Sequence, residues 1–471
     1  MKIALYVHCF YPDHIYGTEA YTLAVAKGLK ACGHEPLVIS AVFSGEPPQD
    51  DLVTEYSWEG IPVFSIDKNK YPHRNIRGTY DQPEMRKVHE RILRRVKPDA
   101  VHVTHLINHT TALLEVTKAL KIPTFGTLTD FFGFCFNNKL EAADGGLCAG
   151  PNALKSNCIE CYIKDASQHP QATAKLKAAA TPITRPSVAR VLALQAMNKS
   201  ENDDPEYGFT PAELTRRPEH MAKHYAVYRG LIAPSTFLKA AYTRNQVPAP
   251  LTLSHFGIDI DRSPKPKREN PNEVRFGFVG QIAPHKGVHL LIDAFKGEMA
   301  PGLSLDIWGP EKQDAAYFTN LRERATGLPV RFRGTFPTAQ THSILADMDV
   351  LCIPSTWYEN SPLILLQALA THTPVIIADV EGMTEFVRDG VSGFAFARGN
   401  VAAFRKVIKK FSDDRGLAAR LSLTTNYSRT PTDMVADILA MYEKAGVQVT
   451  AFSTPPANEH AFEAQTGEEL S

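Results

Sequence analysis

Three segments carry residue types suited to holding an anionic ligand. The first, Gly280 Gln281 Ile282 Ala283 Pro284 His285 Lys286 Gly287, separates the apolar run Val274 to Val279 from a helical pattern carrying Val288, Leu290, Leu291, Ala294 and Phe295. A lysine at a helix N-terminus opposes the macrodipole unless an anion neutralises it, and the free amides of the first turn would hold that same anion. A phosphate group meets both conditions; the alternative is that Lys286 extends into water. In the second segment, Trp357 Tyr358 Glu359 Asn360 Ser361 Pro362 Leu363, Ser361 suits an N-cap and Pro362 the first helical position. That start would aim its amides at the same cleft, with Glu359 beside two aromatics as a ligand contact. Gln367, the one polar residue within Leu363 to Ala370, reads either as a hydrogen-bonded core amide or as a ligand contact. The third segment, Asp379 to Glu385, is again a strand followed by a turn, and Glu385 either caps the next helix or reaches the ligand.

Earlier in the chain, Tyr16 Gly17 Thr18 Glu19 follows the first apolar run, and Gly17 lets the backbone approach a ligand closely. This is not a G-x-G-x-x-G fingerprint, and no Walker lysine motif is present, which speaks against a dinucleotide cofactor and a P-loop ATPase. His102, His105 and His109 match no zinc spacing and read as core or cleft histidines. Cys135, Cys148, Cys158 and Cys161 place four thiols within 27 positions and end in Cys-x2-Cys. They are either the ligands of a structural zinc or four unconnected reduced thiols.

These loops need a scaffold that brings them to one place. Ile3 to Val7, Leu37 to Val42, Ile61 to Ile66, Ala100 to Val103 and Pro123 to Leu128 read as buried strands, with helical patterns such as Met85 to Val96 and Thr111 to Leu120 between them. Strands alternating with helices predict a parallel sheet covered on both faces. The alternation breaks over about 131–229, read as a Cys-containing and helical insertion, and the polar run Lys199 to Tyr207 falls inside it. Leu231 to Ala233 and Leu251 to Ser254 return to strand character, and residues 259–273 read as a linker. A second sheet follows, with strands at Val274 to Val279, Leu303 to Trp308, Val330 to Arg333, Val350 to Pro354 and Val375 to Ala378. The expected architecture is α/β: an N-terminal Rossmann-like domain over 1–258, a C-terminal one over 274–430, a helix over 431–446 packing back on the first, and a disordered tail over 447–471. Ligands of such sheets bind beyond the carboxyl ends of the strands, where the segments above lie.

At 471 residues the chain is too long for a single small module. With 51 Lys plus Arg against 51 Asp plus Glu, no global field draws it toward nucleic acid, so none is expected as a partner. No apolar run approaches the ~18 residues of a spanning helix, no signal peptide is read at the N-terminus, and the odd count of seven Cys fits a reducing compartment. The expectation is a cytoplasmic protein. Lys175, Lys177, Arg185, Arg190 and Lys199 punctuate an Ala/Leu/Val-rich stretch, either as a solvated helix face or as a peripheral contact with the inner face of a membrane.

The segments Phe278 to Gly287, Asp306 to Gly309, Tyr358 to Leu363, Thr373 to Ile376 and Gly382 to Gly393 carry a resemblance, joined by Gly17 to Glu19, Gly33 to Glu35, Ala233 to Ser235 and His255 to Asp259. They resemble the retaining GT-B glycosyltransferases of family 4, over most of residues 1–446 and more loosely between Phe131 and Arg229. The resemblance implies two Rossmann-like domains facing across a cleft. It implies a nucleotide-diphosphate sugar donor, with Lys286 on the diphosphate, Glu359 on the transferred sugar and Gly17 approaching the phosphates from the other domain. It further implies donor contacts from Gln281, Ser361, Leu363, Gln367, Glu385 and Asp130, acceptor-side positions at His105 and Thr129, a glycan or lipid-linked acceptor in polysaccharide assembly, and no catalytic metal. Four positions depart from the family pattern: Gln281 where Arg is usual, Gln367 where the second of two glutamates is usual, Thr129 Asp130 where a His-Asp pair is common, and Glu381 Gly382 where Gly-Gly is usual. Two readings follow: an active sugar transferase with a modified donor pocket, or a GT-B partner subunit that binds nucleotide or glycan with little or no transfer.

Overall fold

The computed structural model describes residues 1–169, 172–200, 210–266, 270, 272–296 and 301–449. The N-terminal sheet holds β1 (Lys2–Val7), β2 (Glu35–Val42), β3 (Val53–Trp58), β4 (Ile61–Asp67), β5 (Ala100–Val103), β6 (Thr124–Thr127), β7 (Gly230–Ala233) and β8 (Leu251–Leu253). Their spatial order is β3-β4-β2-β1-β5-β6-β7-β8. Every pair is parallel except β3 with β4. The C-terminal sheet holds β9 (Val274–Val279), β10 (Leu303–Trp308), β11 (Val330–Gly334), β12 (Val350–Ile353), β13 (Val375–Ala378) and β14 (Gly393–Phe396), ordered β11-β10-β9-β12-β13-β14 and wholly parallel.

Central strands are legible as apolar runs because helices bury both of their faces. β5, β12 and β13 are buried at every position. The sequence reading places most strands within a residue or two and misses two. β3 is an antiparallel edge strand whose VTEYSW mixes polar and apolar residues, and the four-residue β14 ends the other sheet. The helix Thr236–Arg244, joining β7 to β8, is also unanticipated.

Over residues 131–229 the insertion opens with loops and a single antiparallel bridge, Glu141 to Leu147. It continues into the helices Ser156–Ser167, Arg185–Ala196 and Pro211–Tyr225, which share a small core of Ile159, Ile163, Ala189, Ala193 and Leu214. Part of the polar run Lys199 to Tyr207 lies outside the described residues.

The last helix, Pro431–Lys444, begins with a capping box in which Thr430 and Asp433 bond reciprocally. Met434, Val435, Ile438, Leu439 and Tyr442 join one core with Ile3, Leu5, Val25 and Phe125 of the N-terminal sheet and its first helix. Tyr442 Oη lies 2.8 Å from His102 Nδ1 in β5. Val447 and Val449 also pack against this core, so the ordered chain runs past the 446/447 boundary expected for the tail; residues 450–471 lie outside the described residues.

Candidate active site

Each sheet winds outward in opposite directions from one pair of strands, and the crevice beyond such a switch point is where an open α/β sheet binds its ligand. In the C-terminal sheet the pair is β9 and β12, whose following loops carry Lys286 and Glu359. In the N-terminal sheet it is β1 and β5, whose loops carry His8 and His105.

The sequence forces the C-terminal loops together. Gly287 has φ +72°, and a Cβ there would lie 2.0 Å from the Pro354 carbonyl, so only glycine lets the loop after β9 rest on the loop after β12. Gly382 has φ +85°, and its Cβ would lie 1.6 Å from the Glu359 carbonyl, which packs the loop after β13 against the other side of Glu359.

Held between them, Lys286 Nζ lies 2.6 Å from Glu359 Oε1. The same oxygen accepts from Ser355 Oγ at 2.5 Å and from the Trp357 indole N–H at 3.1 Å. Glu359 is only 6% exposed. Burial alone would push its carboxyl up; the Lys286 charge and these donors outweigh it and hold the group below its ordinary range. Lys286 also sits over the Trp357 ring, 5.2 Å from the centroid. His285 packs on that ring at 3.8 Å, and burial, with Lys286 beside it, pushes its pKa down to about 4. Buried polar atoms without a partner collect here: His285 Nε2, Asn360 Oδ1 and Ser361 Oγ.

Ser361 corrects the sequence reading. It adopts φ +60°, Pro362 takes the N-cap place, and the helix runs Leu363–Ala370 without a side-chain cap. The left-handed turn leaves the Ser361 hydroxyl unbonded in the interior instead of over the first amides. Leu363 is half-buried against the core shared with the N-terminal sheet, and Gln367, half-buried one helical turn later, makes no side-chain hydrogen bond among the described residues. Gln281 is half-buried at the end of β9, and Glu381 is exposed. Glu385 bonds neither its own turn nor Lys286. Its carboxylate accepts from Thr236 N and Oγ1, both at 2.8 Å, and from Phe237 N at 3.4 Å, capping the helix Thr236–Arg244 of the opposite domain.

The N-terminal face of the cleft meets these loops directly. Asn360 Nδ2 donates to the Thr129 carbonyl at 3.2 Å, and Tyr358 packs on Phe237 at 4.5 Å and Phe131 at 6.3 Å. Thr129 Oγ1 is turned away, donating to the Thr104 carbonyl at 2.7 Å. The imidazole expected to be missing at Thr129 is supplied from the neighbouring strand. Ile107 N–H donates to His105 Nδ1 at 3.2 Å, and His105 Nε2 lies 3.0 Å from Asp130 Oδ2, an approach outside hydrogen-bond geometry that leaves this buried oxygen without a hydrogen-bond partner among the described residues. His105 in turn packs on His8 at 4.2 Å, and His8 Nε2 lies 3.3 Å from the buried Glu19. Burial first, and then the neighbouring imidazoles, hold His8 well below its ordinary pKa. Spacing along the chain gives no signal for His8 or Asn360; they arrive through topology. His102 and His109 are core groups, bonded to Tyr442 and Thr127 and to the Val7 carbonyl respectively. Gly17 opens the helix Gly17–Ala31, is exposed, and has open space around its Cβ position.

Two clusters merit a metal test. His8, Cys9 and Glu19 present ligand atoms within 4.8 Å of one another. The Cys9 thiol, however, donates to Glu19 Oε1 at 2.8 Å, and burial pushes it up, which opposes a thiolate ligand. The second is the set of insertion cysteines Cys135, Cys148, Cys158 and Cys161, all free thiols.

Comparison with known proteins agrees with this architecture. The family profile described as Glycosyl transferases group 1 matches residues 259–426, and Glycosyltransferase Family 4 matches residues 15–134. A glycogen synthase of Mycobacterium tuberculosis is 29% identical over 188 residues, 38% of this chain and 45% of the relative. A D-inositol 3-phosphate glycosyltransferase of Streptomyces avermitilis is 26% identical over 230 residues, 45% of each. The chain thus spans about half the length of the curated relatives it matches. Among solved structures, a sucrose-phosphate synthase from Thermosynechococcus elongatus superposes with TM-score 0.60 at 16% identity, covering 94% of this chain and 98% of that one. An Anabaena protein in complex with UDP and glucose gives 0.57 at 15%, covering 95% and 98%. With two doubly wound domains and both halves matched by profiles, the chain belongs to the GT-B glycosyltransferases of family 4.

Proposed function

We propose that the chain is a retaining glycosyltransferase that moves a sugar from a nucleotide-diphosphate sugar to a glycan or lipid-linked acceptor. The observation that carries this is the Lys286–Glu359 pair at 2.6 Å, buried at the β9/β12 switch point, with the adjoining Asn360 bonded across the cleft to the Thr129 carbonyl. A donor diphosphate arriving at Lys286 replaces Glu359 as its anionic partner, and the freed carboxylate accepts hydrogen bonds from the sugar hydroxyls. The bond from the anomeric carbon to the phosphate oxygen then breaks. The acceptor oxygen attacks from the same face, and its proton passes to a donor phosphate oxygen. Lys286 supplies positive charge to the leaving group, the role a divalent cation fills elsewhere, so no catalytic metal is required in this reading. Gln281 contributes no charge, which leaves that task largely to Lys286.

Support comes from a relative named a D-inositol 3-phosphate glycosyltransferase and from proteins of the same fold whose titles carry UDP-glucose, or ADP with acarbose. Peripheral contact with an anionic membrane belongs to the same proposal. Ile183, Val191, Leu194 and Met197 are exposed at 88%, 53%, 50% and 66% on and beside the helix Arg185–Ala196, with Lys175, Lys177, Arg190 and Lys199 nearby in sequence; Arg185, expected on the same face, is instead buried and donates to the Ala180 carbonyl. No helix among the described residues is long and apolar enough to cross a membrane. Sedimentation with anionic but not neutral vesicles tests this contact.

The primary test is a thermal-shift screen of UDP-, GDP-, ADP- and TDP-sugars on wild type and Lys286→Ala, followed by sugar release with any hit. A donor that stabilises wild type and is slowly hydrolysed, with turnover reduced at least ~10-fold in Lys286→Ala, supports the transferase. Binding without product formation across donors and acceptors supports the partner-subunit reading instead.

A further inference from the structure

Cys135, Cys148, Cys158 and Cys161 are all free thiols, and the fold gathers them from three separate segments around one backbone hub, residues 140–141. Cys148 N–H donates to the Leu140 carbonyl at 2.7 Å, and the Cys161 thiol lies 3.5 Å from the Glu141 carbonyl. Cys158 and Cys161 stand one turn apart on one face of the helix Ser156–Ser167, and the other three thiols are all electrostatic neighbours of Cys158. Gly150 N–H and Asn157 Nδ2 reach the Cys148 Sγ at 3.4 and 3.6 Å, while the Cys135, Cys148 and Cys161 thiols donate to Asn137 Oδ1 and to the Gly150 and Glu141 carbonyls at 2.9, 3.5 and 3.5 Å; as at Cys9, these protons must leave before the sulfurs can ligate.

A second observation is independent of the thiols. Arg217 is 2% exposed, and its Nη1 has no hydrogen-bond partner. Its Nη2 donates to the Phe132 carbonyl at 2.6 Å, its guanidinium lies over the Phe132 and Tyr80 rings, and it makes no ion pair with a carboxylate among the described residues. Cys135 and Cys158 are among its electrostatic neighbours. A buried cation without a counter-charge is costly, and four neutral thiols supply none.

We propose that Cys135, Cys148, Cys158 and Cys161 bind one zinc ion as a closed tetrathiolate site, with Arg217 as its buried counter-charge. Four thiols lose their protons to the medium as the ion binds. The resulting centre of Zn²⁺ and four thiolates carries two net negative charges, which Arg217 partly neutralises. No three of the sulfurs lie within 4.8 Å of one another among the described residues, wider than Zn–S bonds of about 2.3 Å require, so the ion draws the side chains inward.

The consequence reaches the cleft. The turn of the 141–147 bridge presents the Gly145 carbonyl to Arg398 Nη1 of the C-terminal domain at 3.5 Å, and the same nitrogen holds the Thr356 carbonyl at 2.5 Å, next to Trp357. Lys139, in the same segment, is an electrostatic neighbour of His285. Zinc therefore fixes a wall of the site that otherwise has little regular structure.

The test is elemental analysis of the full chain purified under reducing conditions without added chelator. We expect about one zinc per chain, less than a tenth of that in Cys158→Ser/Cys161→Ser, and full retention in Cys32→Ser. Arg217→Met leaves every ligand in place and should weaken zinc retention against a chelator at least ~10-fold, which keeps the proposal testable if the serine variant does not fold. Alkylation of wild type should label Cys32 at once and the four site cysteines only after chelation. Wild type that neither contains nor takes up zinc, iron with acid-labile sulfide in place of zinc, or equal labelling of all five thiols overturns the assignment.

Discussion

The Lys286–Glu359 pair is asymmetric, and the asymmetry can be measured without knowing the substrate. The Glu359 side chain is 8% exposed and that of Lys286 is 21%. Removing one partner of a buried pair costs about 3–5 kcal/mol because the other charge is left uncompensated. In Lys286→Met, Ser355 and Trp357 still donate to Glu359, so the lower end, about 3 kcal/mol, applies. At about 2–4 °C per kcal/mol for a domain of this size, the transition involving the C-terminal domain should fall by roughly 6–12 °C near pH 8. Glu359→Gln behaves differently: the amide oxygen still accepts from Ser355 and Trp357, and Lys286 can turn toward water, so its cost should be about 1 kcal/mol. The pH dependence adds a signature. In wild type the carboxyl is held low, so its contribution is present above the ordinary carboxyl range and is lost only as pH falls through the lowered folded value. In Lys286→Met burial acts without the lysine and raises that value, so the deficit is largest near pH 8 and shrinks toward about pH 5 as the carboxyl protonates. Differential scanning calorimetry of the two single variants and the double variant gives both the asymmetry and the coupling. Equal costs in the single variants, or a Lys286→Met deficit independent of pH, would refute the burial argument.

Three further outcomes follow from other contacts. Glu385→Ala removes the acceptor of Thr236 N–H, so hydrogen exchange at Thr236 and Phe237 should accelerate about 5-fold while residues inside the β7 strand are unaffected; unchanged exchange would show that the cap does not hold the domains in solution. Gly382→Ala places a methyl against the Glu359 carbonyl at a positive φ, so turnover on the identified donor should fall roughly 100-fold with an unaltered circular dichroism spectrum, and wild-type turnover would mean that the loop has room. His89 and His102 are buried neutral, with burial pushing them down to about 4 and about 3. The unfolded chain binds their protons first, so stability is intact above the ordinary histidine range and is lost as pH falls below it, by about 2 kcal/mol per histidine at pH 5. Urea midpoints at pH 7.5 and 5 check this, and a flat profile would count against it.

What the sequence made legible follows from how each feature is encoded. β12 and β13 announce themselves because strands buried on both faces are continuous apolar runs, and β9 and β10 because large apolar residues recur along them despite Arg275 and Asp306. The Lys286 and Glu359 loops are legible because they sit directly after such strands. β3 is hidden because an edge strand mixes polar with apolar residues, as VTEYSW does, and so lacks the apolar run that marks the central strands. Glu385 as a cap for Thr236, 149 residues away, has no local signature at all. His105 restoring an imidazole beside Asp130 depends on β5 and β6 being neighbours, which spacing along the chain does not state. Ser361 misled because Ser-Pro before an apolar helix is a good start signal, and the left-handed turn that overrides it is set by the loop packing around Gly382 and Glu359.

The last helix has a consequence for the order in which the molecule is made. Residues 1–258 leave the ribosome long before Pro431–Lys444, yet Ile3, Leu5, Val25 and Phe125 share their core with Val435, Ile438 and Tyr442. Until synthesis is nearly complete, that face of the first sheet is covered by the helix Gly17–Ala31 without its second helix, and His102 has no Tyr442 to bond. The nascent first half thus keeps part of that apolar face exposed until the final helix docks. A protease cutting in the 259–273 segment of the finished protein would nick the chain without freeing its halves, because the tail of the second half is already part of the first.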